Sequence, residues 1–529
     1  MNLSKKMPSI NVAYENSLER PLERKALLTI LMVLVVVVLG VFQAIPDARK
    51  ESGWNEIVMR NWQSEGFFDM EGQLVYNYGG LLPNEKITIY PGHRPCLLYI
   101  PYFLKYLLPF KGANFGIYVI FMTCLSFWGI SKIFEYRPYG VIAACIFCLC
   151  PGYIANITKI DTISFPGILG VPIMCLAGYF LTEKTQRIPR LIAVASGMSL
   201  FMAMNWSTLF SLCMLGIFIV ASGIRRQSAY FVLTLIGTIG LWTLFLAMKS
   251  RSGLNDQGDL WNHYLFGPAG YNNNGMTWHK AALRIFGVNL IAWMPLFGWL
   301  IAGLISIRPR KYVFCLAPLV GSAIAVFSMR NYNAHHPWGA VSLVALGVLM
   351  TMAIVCRQTA GSCVPKLACH RALAFSLGAA LLLYTFSWIA LDTHNNKEFY
   401  NLYNLISSKT ERSSRIFFVG NPYTNIEHID WSALSLEFDR KISSETDQQS
   451  NSPVATNEHV QEYYISTQSP SANAHIIASQ SCEYGKVDIF MENILNFYRE
   501  NISKRSQGDR KVYNSRFYLF SQTRRLDRD

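Results

Sequence analysis

Residues 26–46 read ALLTILMVLVVVVLGVFQAIP, a stretch without a single charge. A helix needs about 20 mostly apolar residues to cross a bilayer core of about 30 Å, so this stretch is long enough for one crossing. Lys5, Lys6, Arg20, Arg24 and Lys25 precede it. Positive charge is retained on the cytoplasmic side, so the N-terminus is expected inside the cell and the first span is expected to run outward. The polar leader of about 25 residues and the apolar stretch of about 21 are both too long for a cleaved signal peptide. The stretch therefore reads as a permanent span.

Working outward from it, similar uncharged runs occupy 112–131, 138–158, 162–182, 227–248, 285–307, 312–329, 331–356 and 372–391. A further run, 191–224, would make roughly 50 Å of helix at 1.5 Å per residue, too long for one span. The polar stretch Asn205-Trp206-Ser207-Thr208 near its middle predicts two short helices and a turn. The expectation is an all-α polytopic membrane protein with about 11 transmembrane helices. The later basic clusters Lys132/Arg137, Lys184/Arg187/Arg190, Arg225/Arg226, Arg308/Arg310/Lys311 and Arg357/Lys366/Arg371 then share the cytoplasmic side with the N-terminus. That arrangement places 18 basic residues inside and 13 outside.

The chain has 529 residues, of which only 15% are charged, and its net charge is +14. Average soluble proteins carry about 25% charged residues. The excess is unevenly placed. Residues 1–391 hold 31 Lys/Arg against 15 Asp/Glu, whereas 392–529 hold 16 against 18. The positive charge thus lies between apolar runs, where membrane topology uses it, and not on a soluble basic patch of the kind that binds nucleic acid. A soluble enzyme, a disordered chain and a secreted disulfide scaffold are excluded by the same pattern.

Three segments follow: a cytoplasmic leader 1–25, a transmembrane domain 26–391 with a long first outer loop at 47–111, and a soluble outer domain 392–529. The last reads as small and α/β. Arg415 to Val419 looks like a strand leading into the turn Gly420-Asn421-Pro422, Val487 to Tyr498 has helical spacing, and Phe517 to Phe520 looks like a final strand. Residues 441–458, rich in Ser, Thr, Gln and Asn, read as a loop. Cys145, Cys148 and Cys150 lie within an apolar run and read as core thiols more readily than as a metal site. Cys96 and Cys482 fall on the outer side, where pairing is open to them.

Ionisable groups close to a membrane are expensive, so the scarce outer-face ones carry the search for chemistry. The first loop contains Gly66-Phe67-Phe68-Asp69-Met70-Glu71-Gly72 and continues through Tyr90-Pro91-Gly92-His93-Arg94-Pro95. The apolar stretch Cys96 to Phe110, interrupted by Pro101 and Lys105, reads as a helix lying in the interface. Asp69 and Glu71 sit among apolar neighbours. Each is either a base for an attacking hydroxyl or a solvated loop carboxylate. The next outer loop holds Lys159 and Asp161. Asp161 has three readings: an active carboxylate, a partner of Lys159, or a cap on the following helix. A late outer turn reads Arg330-Asn331-Tyr332-Asn333-Ala334-His335-His336-Pro337-Trp338. Its guanidinium and imidazoles suit a phosphate, and its aromatic residues equally suit interfacial anchoring. The loop 249–284 adds Asp256, Asp259, His263 and His279 without a specific pattern.

Together these features resemble the GT-C fold of integral-membrane glycosyltransferases, which includes protein O-mannosyltransferases and lipid A aminoarabinose transferases. Asp69 stands where that family carries its first-loop carboxylate, and Pro91 to Pro95 with Leu97-Leu98-Tyr99 resembles its proline-containing run into an interfacial helix. Asp161 matches the second-loop acid, and Asn333 to Gly339 is similar to the family's His-containing turn. The likeness spans roughly residues 25–350. Many relatives have adjacent acids in the first loop, whereas Met70 separates Asp69 from Glu71. Asp69 is the preferred base, with Glu71 as helper.

The resemblance implies transfer of a sugar from a polyprenyl-phosphate donor to a glycan, glycolipid or protein acceptor on the outer face, with inversion. Arg94, Arg330, His335 and His336 would take the donor phosphate, and Tyr90, His93 and Lys159 would contact substrate. Neither a metal nor another cofactor is expected. A bacterial inner membrane is the expected location. An O-antigen ligase or polymerase is the alternative enzyme, although such enzymes concentrate Arg and His in a late loop. A transporter would carry ionisable groups mid-span, whereas the apolar runs here contain no charged residue and the candidate groups lie at one face. A membrane scaffold binding a partner through 392–529 is the remaining class.

Overall fold

The computed structural model describes residues 19–45, 53–75, 77, 87, 98–107, 114–134, 137–157, 164–182, 188–204, 208–222, 225–250, 278–305, 312–328, 333, 337–359, 371–395, 397–412, 414–419, 440–444, 461–466, 469, 474–482 and 515–522. The first span is helix α1, Glu19–Gln43. Its Val-rich centre favours strands in water. In a bilayer every backbone amide must be satisfied within the segment, and length then selects a helix.

The segment between the first two long apolar helices carries α2 (Gly53–Glu65), a single turn α3 (Tyr99–Tyr102) and a π-helical turn, Phe103–Leu107. Among the described residues eleven helices follow α3 in the apolar runs, one of them short. These are α4 (Asn114–Ile133), α5 (Arg137–Leu149), α6 (Pro151–Ile157), α7 (Ser164–Thr182), α8 (Ile188–Met204) and α9 (Thr208–Ala221), then α10 (Arg225–Ser250), α11 (Trp278–Ile305), α12 (Tyr312–Ser328), α13 (Pro337–Thr359) and α14 (Arg371–Asn395). The long run 191–224 is divided between α8, which ends at Met204, and α9, which begins at Thr208. Among the described residues, Lys25–Gln43, Gly116–Ile133 and Ala281–Leu304 are long and apolar enough to cross a membrane unaided. The pair Tyr139–Leu149 and Pro151–Ile157, bent by 60°, makes a fourth if it is one broken span.

At the centre stands α13, where every residue from Val341 to Cys356 is buried. Small residues let neighbours approach closely, as membrane helices require. A β-carbon added at Gly129 of α4 would lie 2.6 Å from the Pro172 carbonyl oxygen of α7, and one at Gly347 of α13 would lie 2.5 Å from Ser322 Oγ of α12. The bundle's outer surface is apolar: Val33 and Val36 on α1, Phe121 on α4, Ile236 on α10 and Phe286 on α11 are all exposed. Lipid removes the cost that such a surface has in water.

Two helix breaks are repaired by one neighbour. In α11, Trp293 leaves helical geometry (φ −127, ψ 18) just before Pro295. A proline offers no amide to the carbonyl four residues earlier, here that of Ile291, and Tyr384 of α14 donates its hydroxyl to it. The adjacent Thr385 donates to Leu149 O at the α5–α6 bend, 2.7 Å away. Trp293 itself stacks on Phe147 at 5.1 Å and donates to Val341 O at 2.7 Å.

Arg357, near the end of α13, gathers the ends of three other helices. Its guanidinium donates to Ile133 O of α4 at 3.4 Å and Thr182 Oγ1 of α7 at 3.3 Å, and lies over the Phe218 ring of α9 at 5.2 Å. These four C-terminal ends therefore lie on one side of the bundle. A cation suits the negative end of a helix dipole.

Past α14, helix α15 (Lys397–Lys409) packs on a five-stranded sheet built from β1 (Arg415–Phe418), β2 (Lys441–Ser444), β3 (Glu462–Ser466), β4 (Ala474–Cys482) and β5 (Ser515–Gln522). The order is β2-β1-β3-β5-β4, with β1 parallel to β2 and β3, and β5 antiparallel to β3 and β4. Side chains alternate between faces. Ile416, Phe418, Ile465 and Leu519 share a core with Leu402 and Ile406 of α15, whereas Phe417, Tyr464 and Phe520 form a separate stack. Strands β1 and β5 fall where the sequence predicted them. The loop expected over 441–458 is corrected at its start: Lys441–Ser444 is a strand, held by parallel pairing with β1 that its own polar residues do not advertise. The helix expected at Val487 to Tyr498 lies outside the described residues, as does Cys96.

Candidate active site

Helix α2 supports the first-loop carboxylates. Asn55 to Met59 are buried, as are Asn61 and Trp62, so the helix is enclosed on several sides. Its acid Glu56 is a buried ion-pair centre. Lys105 Nζ lies 2.6 Å from Oε2, Arg60 Nε lies 3.0 Å from Oε1, and the Tyr106 hydroxyl donates to Oε1 as well. Burial alone would push this carboxyl up. The Lys105 and Arg60 charges, with the Lys105 and Tyr106 hydrogen bonds, more than offset it and hold the value at about 2. The π-helical turn is thereby pinned to α2.

Gly66 ends α2 with φ +99, its amide bonding Trp62 O at 3.1 Å. A single compact turn follows. Gly72 N donates to Phe67 O at 2.9 Å and Glu71 N to Phe68 O at 3.0 Å, the paired bonds of a Schellman ending. Glycine usually fills the left-handed position there, but this chain has Glu71 at φ 51. A side chain in that region costs roughly 1–2 kcal/mol, and such strain concentrates at functional sites.

Phe67 and Met70 anchor the turn inward. The Phe67 ring meets Trp62 at 5.1 Å, Tyr99 at 5.2 Å and Tyr102 at 5.3 Å, and Met70 is buried. Trp62 Nε1 donates to Gln73 O at 2.6 Å, and the Tyr99 hydroxyl donates to Gly72 O at 3.3 Å. Held this way, the turn presents Phe68, Asp69 and Glu71 outward, all exposed. Gln73 Nε2 donates to Glu71 Oε2 at 3.3 Å. Asp69 folds back over the glycine: a β-carbon at Gly66 would sit 2.2 Å from its Oδ2. The two carboxylates thus share one rigid, exposed turn backed by aromatic rings.

The other predicted residues, Tyr90, His93, Arg94, Lys159, Asp161, Arg330, His335 and His336, lie outside the described residues. Their neighbours are described. Helix α6, wholly buried, ends at Ile157 before the Lys159/Asp161 loop, and α7 resumes at Ser164. In the late turn, Asn333 is buried and donates to Val326 O at 2.7 Å. Cys148 and Cys150 are buried in the bundle core and Cys145 packs against it. Among the described residues no three His, Cys, Asp or Glu side chains converge as metal ligands.

Sequence reasoning missed Glu56, Asn61, Trp62 and Gly66. The Glu56/Arg60 spacing of four residues is a helix signal, but nothing in it points to Lys105, forty-nine residues on.

The crystal structure of ArnT from Cupriavidus metallidurans bound to undecaprenyl phosphate matches with a TM-score of 0.52 and 10% identity, covering 85% of this chain and 96% of that one. The chain shares its fold with ArnT. The apo structure of the same ArnT matches at 11% identity and a TM-score of 0.47, over 84% of this chain and 95% of that one. The match upholds the GT-C-like fold expected from the sequence. No protein-family model and no curated protein matches the sequence.

Proposed function

We propose that this protein is an integral-membrane glycosyltransferase. It moves a sugar from a polyprenyl-phosphate donor to an acceptor hydroxyl on a cell-surface glycan, glycolipid or protein, at the outer face of a bacterial inner membrane. The observation that carries the reading is the fold shared with ArnT across most of both chains, in a structure that holds undecaprenyl phosphate. The exposed, rigidly backed Asp69 turn supports it.

In this reading eleven spans leave the N-terminus in the cytoplasm and residues 392–529 outside. The donor's tail lies among the helices and its sugar at the outer face. Asp69 accepts the proton of the acceptor hydroxyl as that oxygen attacks the anomeric carbon. The bond from that carbon to the phosphate oxygen breaks, and its electron pair leaves with the lipid phosphate. Attack from the opposite side inverts the configuration. Arg94, Arg330, His335 and His336 stabilise the departing phosphate, Tyr90, His93 and Lys159 contact substrate, and Asp161 binds the acceptor. Glu71 orients or assists Asp69. The step as written is carried by carboxylates and cationic side chains without a metal.

The test is transfer by membranes containing the Asp69→Asn protein, read by mass spectrometry of surface glycans and glycolipids. Removing a general base lowers rates by about 10²–10⁴-fold, and a loss of that size is expected. Full activity would sink the role of Asp69 as base.

A further inference from the structure

Two bonds tie the C-terminal part of the chain to α2. Arg412, three residues past α15, donates through Nη2 to Asn61 Oδ1 at 2.6 Å and to Ile57 O at 3.2 Å. These contacts span more than 350 residues of sequence. Arg412 is itself held close to the sheet. Buried Arg440, next to β2, donates through Nε to Thr410 Oγ1 at 3.1 Å and through Nη2 to Thr410 O at 2.9 Å.

Asn61 passes the constraint on. It is fully buried, and its Nδ2 donates to Val75 O at 2.8 Å and to Asn77 O at 3.3 Å. The amide has one sensible orientation: turned over, its NH2 would face a guanidinium and its oxygen two carbonyls. The neighbouring residue, Trp62, holds Gln73 O. The Asp69 turn therefore hangs from residues 61 and 62 at its start and from 73, 75 and 77 at its end.

We propose that Arg412 and Asn61 are positioning residues, through which the C-terminal sheet sets the geometry of the Asp69 turn. The bond from a guanidinium to a buried amide oxygen is charge-assisted and stronger than a neutral one. Losing it leaves Asn61 Oδ1 buried without that donor and frees the amide to swing from the two carbonyls. The proposal rests on the glycosyltransferase reading for its catalytic consequence, but not for the mechanical coupling.

The experiment uses the full-length protein in nanodiscs and the variants Arg412→Ala and Arg412→Lys. Hydrogen exchange over residues 66–77 is read beside exchange over 281–304, and transfer kinetics are read in parallel. Arg412→Ala is expected to speed exchange over 66–77 by roughly tenfold, the worth of one hydrogen bond to a charged group, with 281–304 unchanged. It should lower kcat by roughly 10- to 100-fold while donor KM stays within about twofold. Arg412→Lys, which keeps one cationic donor, should recover part of both, and it supplies the same comparison if the alanine variant fails to fold. Unchanged exchange over 66–77 overturns the coupling, whatever happens to transfer. Faster exchange with normal kcat overturns the positioning role. A wild-type protein without transfer overturns the glycosyltransferase reading alone, and exchange still decides the coupling.

Discussion

Replacing Gly66 by alanine separates the position of Asp69 from its chemistry. The new β-carbon would lie 2.2 Å from Asp69 Oδ2 and 3.2 Å from Cγ. Real β-carbon contacts essentially never fall below 3.0 Å, so the carboxylate must retreat by roughly 1 Å, a displacement that can cost a reaction about 10²-fold. That loss corresponds to about 2.7 kcal/mol of activation free energy. The backbone adds its own strain, since alanine at φ +99 costs on the order of 1–3 kcal/mol of stability. Initial transfer rates and thermal unfolding in detergent measure the two effects separately. Gly72→Ala is the comparison. It has φ +61 and meets the Tyr99 hydroxyl at 2.8 Å, so it should lose similar stability with a smaller loss of rate. The double variant Gly66→Ala/Asp69→Asn should be no slower than Asp69→Asn alone, because both changes act through one carboxylate. A full-rate Gly66→Ala protein, or losses that multiply in the double variant, would refute the reasoning.

Two further outcomes concern stability. Glu56 has a folded-state value of about 2 against an ordinary 4.5, so its contribution is fully present above about pH 4.5 and is lost as the pH falls toward 2, amounting to about 3 kcal/mol in all. Thermal unfolding followed from about pH 6 down to about pH 3 should show about 2 kcal/mol of that loss in the wild type and none of it in Glu56→Gln. Gly129→Ala should destabilise the α4–α7 pair by about 1–3 kcal/mol through overpacking, because the Pro172 backbone it meets cannot step aside. Gly116→Ala, with nothing within 4 Å, should leave the unfolding temperature in place.

Helices were legible where composition alone decides them. An uncharged run in lipid has no alternative to a helix, and Asn205 to Thr208 interrupts one such run with polar groups, so the break between α8 and α9 could be read directly. The turn bearing Asp69 and Glu71 was legible as a place, because carboxylates amid aromatic residues are conspicuous. Its construction was not. Gly66, Phe67 and Met70 matter through what they touch, and Tyr99 and Tyr102 arrive from more than thirty positions away. The same holds for Glu56 and Lys105, and for Asn61 and Arg412. Strand β2 was missed for a related reason, since Lys441–Ser444 has little strand character and is defined by its partner β1. Long-range pairing leaves no local periodicity to read.

The contacts of Arg357 also bear on how the chain is made. The arginine joins the ends of α4, α7 and α9, yet it lies 224 residues after Ile133. At about 5–20 residues per second, a ribosome needs roughly 10–45 s to cover that distance. Over that interval the end of α4, and those of α7 and α9 once they are made, lack the arginine's contacts. A chain truncated before Arg357 would therefore keep α4, α7 and α9 but lose the side chain that joins their ends.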